Sequence, residues 1–409
     1  MSEKKRINFK RIFKLKNPVQ HYAWGSITHI PQLLGLENKE GKPFAELWMG
    51  SHLKAPSSVM LKNGESISLR DFISLDVRAV LGKDVVKVFG EDLPFLFKVL
   101  AAASPLSLQT HPSKQQAIAG FTREEIHGIP LNSPNRNYKD TNNKCELLVA
   151  LSKFYALVGF RPFEEIKKEF NFLHDDEQIY LILKKTEKQS RENRISFFFI
   201  QLTALPEHER KAVLEKIAAQ LAGKAGPAYH WVIELHKLYP TDIGVLSPLI
   251  LNMVELKPGQ AIFMPSGALH TYLEGFGLEI MTNSDNVLRG GLTPKHIDLP
   301  ELLQILDFKA TSPEIITARK EGPFEFTSSL PVKEFKLSRM VVKQGKGITQ
   351  SKRRSIEILL ILKGKISFSS SCFRDTITAL QGESFLIPAI LSDYTIRGQA
   401  ELYSASVNI

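Results

Sequence analysis

The sequence predicts a mainly β protein: two jelly-roll-like β-barrel units plus an inserted α-helical domain. Three observations predict it. Short apolar runs alternate with Gly, Pro and Asn breakers from Phe9 to about Phe160, and again from about Pro248, the texture of many short strands. Between them the chain has few glycines and repeats its apolar residues at helical spacing. Finally, a Gly, a short apolar run and a Pro recur as Leu256-Lys-Pro-Gly-Gln-Ala-Ile-Phe-Met-Pro265 and Gln381-Gly-Glu-Ser-Phe-Leu-Ile-Pro388. Each copy reads as a strand between tight turns, one per antiparallel barrel.

Taken in order, the chain opens with a basic run, Lys4, Lys5, Arg6, Lys10, Arg11, Lys14 and Lys16, expected to be a solvated leader. Strands are expected at Leu93-Pro-Phe-Leu-Phe-Lys-Val-Leu-Ala-Ala and at Glu146-Leu-Leu-Val-Ala-Leu. After Arg161-Pro162 the periodicity changes. Ile166, Phe170 and Leu173 fall on one helical face, and so do Val213, Ile217 and Leu221, because residues four and seven apart stack along a helix. Pro206 suits the first turn of the second of these helices. Strand texture then returns, and the first Gly-to-Pro copy ends in a turn followed by His270. The second copy has no histidine after Pro388, so any metal is expected in the first.

Composition narrows the class. The chain has 409 residues, 43% hydrophobic and 23% charged, enough for two or three domains at roughly 150 residues each and too apolar for wholesale disorder. Its formal net charge is +10, but much of that lies in the leading run, which argues little for nucleic acid and suits a phosphorylated small molecule equally well. Two cysteines, Cys145 and Cys372, far apart and outside any CxxC, exclude a disulfide framework and a Cys-rich zinc site. No apolar stretch reaches the roughly 18 residues a membrane helix needs, and no apolar segment follows the basic start as in a secretory signal. A soluble protein of the reducing cytoplasm is expected.

Four residues carry metal-site chemistry. In Leu106-Ser-Leu-Gln109-Thr-His111-Pro112, alternation on a strand turns Gln109 and His111 to one face, and an imidazole with an oxygen donor suits a borderline divalent ion such as zinc. His270 follows a strand and a turn, which aims its ring into a barrel mouth. Glu146 enters an apolar strand, where a carboxylate must be paired or bind a metal. Spacing alone does not bring these four together.

The chain resembles the type I phosphomannose isomerases, zinc-dependent mannose-6-phosphate isomerases of the cupin superfamily. The resemblance is carried by Asn17-Pro-Val-Gln-His-Tyr-Ala-Trp-Gly25, Ala45-Glu-Leu-Trp-Met-Gly-Ser-His52, Leu93-Pro-Phe-Leu-Phe-Lys-Val-Leu100 and Pro105-Leu-Ser-Leu-Gln-Thr-His-Pro112. It continues through Asn137-Tyr-Lys-Asp140, Gly159-Phe-Arg-Pro162, His270-Thr-Tyr-Leu and Ser284-Asp-Asn-Val-Leu-Arg-Gly-Gly-Leu-Thr-Pro-Lys295.

That resemblance implies one Zn2+ held by Gln109, His111, Glu146 and His270, and interconversion of mannose 6-phosphate and fructose 6-phosphate through an enediolate. It implies Lys98, Lys144, Asp285 and Arg289 as catalytic candidates. Tyr272, on the same face as His270, and Glu279, as a carboxylate behind it, are expected near the sugar, with Ser107, Lys114 and Lys295 at its phosphate. One position departs: Asn143-Lys-Cys-Glu146 stands where the family reads His-Lys-Pro-Glu. Either that histidine is dispensable, or Asp285 or a metal-bound water takes over its ring-opening task. Cys145 is expected to be a packing residue.

The implied organisation is a catalytic cupin over 9–162 and 246–322, a helical insert over 163–245, and a metal-free cupin-like domain over 323–409. The expected partner is a sugar phosphate alone, with no nucleic acid and no membrane, acting on a monomer. The alternative is a cupin that binds a sugar phosphate as a sensor without turnover.

Overall fold

The computed structural model describes residues 7–173, 177–322, 324–328, 330–351 and 355–409. Lys4, Lys5 and Arg6 of the basic run lie outside these residues. The described chain forms two eleven-stranded sheets and a helical region from Phe163 to Leu238.

The strand His270–Thr282 organises the first sheet, because it pairs with four others. Its second half lies between Phe95–Ala102 and Glu146–Ala150, with Glu279 opposite both Lys98 and Leu148. Its first residue pairs with Gln109 on one side and Val158 on the other. A register shift between Tyr272 and Glu274 bends it, as a bulge does. Gly275 follows at φ +144°, where an added Cβ would stand 2.4 Å from the Phe154 ring. Only glycine has both the conformation and the clearance for that corner.

All five residues of Glu146–Ala150 are buried, since each face of this strand meets a different core. Leu148 and Ala150 point inward with Leu100, Phe154, Ala156, Val254 and Tyr272, the filling of the barrel. Leu147 and Val149 point outward, among Phe95, Phe97, Leu278 and Ile280, and meet Ile358, Leu360, Leu386 and Tyr403 of the second sheet. Alternation therefore sends Glu146, two residues before Leu148, into the barrel. This apolar seam joins the two sheets into one body.

The second sheet is built mostly from strands after Arg319, led by Glu357–Ser370 and Asp393–Ser406. Its membership is not local in sequence. Phe13–Lys16 pairs with Ser384–Ile387, and Ser58–Met60 joins next to Phe13–Lys16. The beginning of the chain thus completes the sheet formed by its end.

The apolar residues read from the helical patterns, Ile166, Phe170, Leu173, Val213, Ile217 and Leu221, are buried in one cluster. The first helix is shorter than its pattern, Phe163–Glu169. Pro206 caps Glu207–Leu221 from outside rather than occupying its first turn. The same cluster includes Leu157, Phe160, Leu251, Leu269 and Leu288 of the barrel, so the insert docks by burial of large side chains, each contributing about 1.5–3 kcal/mol. No described helix is long and apolar enough to cross a membrane.

Candidate metal centre

Three buried side chains from separate strands and turns converge inside the first barrel. Ligand atoms of His111, Glu146 and His270 all lie within 4.8 Å of one another, and each residue is at most 1% exposed. His111 Nε2 is 3.3 Å from Glu146 Oε1, and His270 Nε2 is 3.3 Å from Glu146 Oε2.

Local structure fixes each ring. His111 ends the strand Leu108–Thr110, and the helix Lys114–Ile126 starts just beyond it with a capping box between Ser113 and Gln116. The His111 Nδ1–H donates to the Asn286 carbonyl at 2.8 Å, and the His270 Nδ1–H donates to the Ala268 carbonyl at 2.9 Å. Each bond commits the proton to Nδ1 and leaves the Nε2 lone pair facing the centre, the arrangement typical of ligating histidines. Asn286 also clamps the approach to Glu146: its side chain accepts from the Lys139 and Asp140 amides and donates to the carbonyls of Asp140 and Asn142.

The electrostatics follow. Burial, then the nearby Lys144 ammonium, push His111 down to about 4, against the pull of Glu146, so the ring is neutral. Burial would raise the Glu146 carboxyl, but Lys144, whose Nζ lies 2.8 Å from Oε1, holds it well below the ordinary range. Three lone-pair donors therefore face one another with one ammonium beside them, and Glu146 Oε2 and His270 Nε2 have no hydrogen-bond partner among the described residues. Such a donor set is chemically suited to hold a cation at its centre. Bonds of about 2.0–2.1 Å to a tetrahedral ion place its donors roughly 3.3 Å apart, which matches the two imidazole–carboxylate distances. Two imidazoles and a carboxylate suit zinc.

Gln109 pairs directly with His270 on one side and Arg289 on the other. Directly opposed residues share a face of the sheet, so the carboxamide, the imidazole and the guanidinium form one row. Arg289 is half-buried with no ion-pair partner among the described residues, and burial alone lowers its affinity for its proton. An unmatched buried guanidinium is a ready anion site.

The other candidates divide. Lys98 lies between two carboxylates, 2.9 Å from Glu279 and 3.5 Å from Glu46. Although burial opposes its charge, Glu279 and Glu46 raise its pKa, so the two carboxylates favour its ammonium form. Glu279 also accepts from the Tyr272 hydroxyl at 2.8 Å, and the Tyr272 ring lies 6.2 Å from that of His270. Asp285 is bound by His52 and Lys54 at 3.2 and 2.7 Å. These donors hold its carboxyl well below the usual range despite burial. Lys295 is exposed, and burial together with the fields of Arg289 and Lys54 lowers its pKa, so these three cations share a neighbourhood. Lys114 is exposed and donates to Asn142 Oδ1, and Ser107 is half-buried. Asn143 donates to the Cys145 sulfur at 3.5 Å.

Sequence reasoning passed over Glu46, His52, Lys54 and Asn286. A signal existed for the first of these, because Glu46 and Trp48 alternate on a strand, Glu46–Met49, that pairs with Phe95–Ala102. Asn286 gave none, because its role is to bond a loop distant in sequence.

A family model described as phosphomannose isomerase type I, catalytic domain, matches residues 12–163. The mannose-6-phosphate isomerase of Escherichia coli (strain K12) is 39% identical over 390 residues, 95% of this chain and 98% of the relative. The mannose-6-phosphate isomerase of Homo sapiens is 33% identical over 410 residues, 93% of this chain and 94% of the relative. A solved mannose 6-phosphate isomerase in its zinc-bound holo form superposes with a TM-score of 0.89 at 36% identity, covering 97% of this chain and all (100%) of the other. With the same score, identity and coverage, the chain is similar to the Salmonella typhimurium mannose 6-phosphate isomerase solved with substrate (f6p) and zinc.

Proposed function

The chain belongs to the mannose-6-phosphate isomerase family, and from that premise we propose how its own residues carry the reaction. The protein is a zinc-dependent aldose–ketose isomerase that interconverts mannose 6-phosphate and fructose 6-phosphate. One observation carries the assignment of the site: three buried donors, two of them with atoms lacking a hydrogen-bond partner among the described residues, surround one point inside the barrel.

Gln109, His111, Glu146 and His270 would hold the ion. Bound there, a divalent cation supplies Lewis-acid stabilisation of the negative charge that develops on O1 and O2 of the open sugar. The remaining work belongs to the chain. Isomerisation takes a proton from C2 and returns one to C1. Lys144, whose Nζ reaches the edge of the ligand set at Glu146, carries it: the neutral amine takes the C2 proton and the resulting ammonium returns one to C1. Arg289, in register with Gln109, faces the same oxygens with a fixed positive charge, which costs no reorganisation as the charge grows. Lys98 orients Glu279 and opposes the upward push that burial and Glu146 exert on its carboxyl, and Glu279 in turn fixes the Tyr272 hydroxyl beside the sugar. Asp285 accepts a hydrogen bond from a sugar hydroxyl. Ser107, Lys114 and Lys295 bind the phosphate, where a dianion favours cationic and hydroxyl donors.

For the chain's organisation we assign 9–162 with 246–322 to the catalytic cupin, 163–245 to the insert and 323–409 to a metal-free cupin. The first stretch lends Phe13–Lys16 and Ser58–Ser68 to the last. The enzyme acts as a monomer in the cytoplasm on a sugar phosphate alone. The sensor alternative is disfavoured, because relatives that match nearly the whole chain are isomerases. The test is a coupled assay with mannose 6-phosphate. Zinc-loaded protein yields fructose 6-phosphate, and Lys144→Met abolishes the yield while retaining zinc. Ligand binding without product would establish the sensor instead.

A further inference from the structure

Asp285 lies in the turn that leads into Leu288–Gly291, the strand of Arg289. Its backbone amide donates to Asp140 Oδ2 at 2.9 Å, which fixes the main chain but leaves the carboxylate free to rotate. Two side chains from the loop after Glu46–Met49 stop that rotation. His52 Nε2 is 3.2 Å from Oδ1, and Lys54 Nζ is 2.7 Å from Oδ2. The two differ in setting: His52 is 5% exposed, whereas the Lys54 side chain is 65% exposed.

The histidine is itself constrained. Its Nδ1 accepts from the Lys54 amide at 3.3 Å, which places the ring proton on Nε2, towards Asp285. Its ring stands edge-on to Trp48 with centroids 4.8 Å apart. The Trp48 indole donates to Glu46 Oε2 at 2.8 Å, and Glu46 reaches Lys98. Asp285 is thereby tied through His52 and Trp48 to the buried Glu46–Lys98–Glu279–Tyr272 network beside the metal centre. Tyr22 lies in the field of Asp285, Glu46 and Lys98 together, which places the two ends of this chain on one space.

We propose that His52 is a positioning residue for the isomerisation, acting as an Nε2–H donor that holds the Asp285 carboxylate in one orientation towards the sugar. Lys54 supplies compensating charge, so that a dianionic substrate meets no bare carboxylate at the entrance. The inference rests on the reading that Asp285 takes part in the reaction. A carboxylate free to swing loses its alignment, and misplacement of such a group by about 1 Å costs up to about 100-fold in rate.

The test uses zinc-loaded full-length protein, with zinc content and unfolding midpoint recorded for each variant. His52→Leu is expected to lower kcat at least about tenfold with bound zinc unchanged. His52→Gln places an amide N–H near the position of Nε2 and is expected to restore kcat to within about threefold of the parent. His52→Leu should add nothing in an Asp285→Asn background, because residues acting through one another are not additive. If His52→Leu fails to fold, His52→Gln alone decides. Full activity in His52→Leu, equal damage in His52→Gln, or additive losses in the double variant would overturn the proposal. Parent-level turnover in Asp285→Asn would instead overturn the reading of Asp285.

Discussion

His270 Nε2 stands 3.3 Å from Glu146 Oε2, inside a barrel where neither atom has a hydrogen-bond partner among the described residues. Two buried acceptors in contact raise the free energy of the fold unless a cation lies between them. Zinc is therefore expected to stabilise the protein as well as serve the reaction. At a free concentration of about 1,000 times Kd, a ligand of the native state contributes about 4 kcal/mol. Calorimetry with and without a chelator checks this: the unfolding midpoint should fall on chelation and recover with zinc.

Removing one donor should cost metal before it costs fold. His270→Ala removes an unsatisfied nitrogen, so the metal-free variant is expected to unfold within about 2 kcal/mol of the metal-free parent, while zinc affinity drops at least about 100-fold. Competition with a chromogenic chelator measures the affinity. A variant that keeps parental affinity would remove His270 from the ligand set.

The Lys98–Glu279 pair makes a separate stability prediction. Among the described residues, Glu279→Leu leaves Lys98 with Glu46 at 3.5 Å as its one ion-pair partner and strands the Tyr272 hydroxyl. Breaking one side of a buried pair costs about 3–5 kcal/mol. Denaturant midpoints of the metal-free proteins should show that loss, and Lys98→Met added to Glu279→Leu should recover part of it.

Asp285 gives a pH signature. Its carboxyl is held below its ordinary value by His52 and Lys54 despite burial. A depressed acid stabilises the fold fully above its unfolded pKa of about 3.9 and loses that contribution as pH falls towards the folded value. The stability gap between the metal-free parent and Asp285→Asn should therefore be wider at pH 6 than at pH 3. A gap that grows on acidification would contradict the ion-pair account.

The helical face at Val213, Ile217 and Leu221 was legible because periodicity is a local property; Ile166, Phe170 and Leu173 were legible as buried residues, although the helix ends at Glu169, and all six lie in one core. The run Glu146–Ala150 was legible as a strand for the same reason. Its two-faced burial was not, since that depends on a second sheet closing over Leu147 and Val149. Pairing of Phe13–Lys16 with Ser384–Ile387 left no trace in either segment, because a strand's partner is chosen by the whole fold. At the site, residue types pointed to Gln109, His111, Glu146 and His270 singly, and their grouping came from resemblance to a family. The roles of His52 and Asn286 depend on hydrogen bonds across long stretches of chain, which no spacing encodes.

The most direct test is anomalous diffraction at the zinc edge from crystals of the zinc-loaded protein. The account predicts a single strong peak bonded to Nε2 of His111, Nε2 of His270, the Glu146 carboxylate and the Gln109 carboxamide oxygen. A peak elsewhere, or none at this centre in enzyme that turns over mannose 6-phosphate, would contradict it.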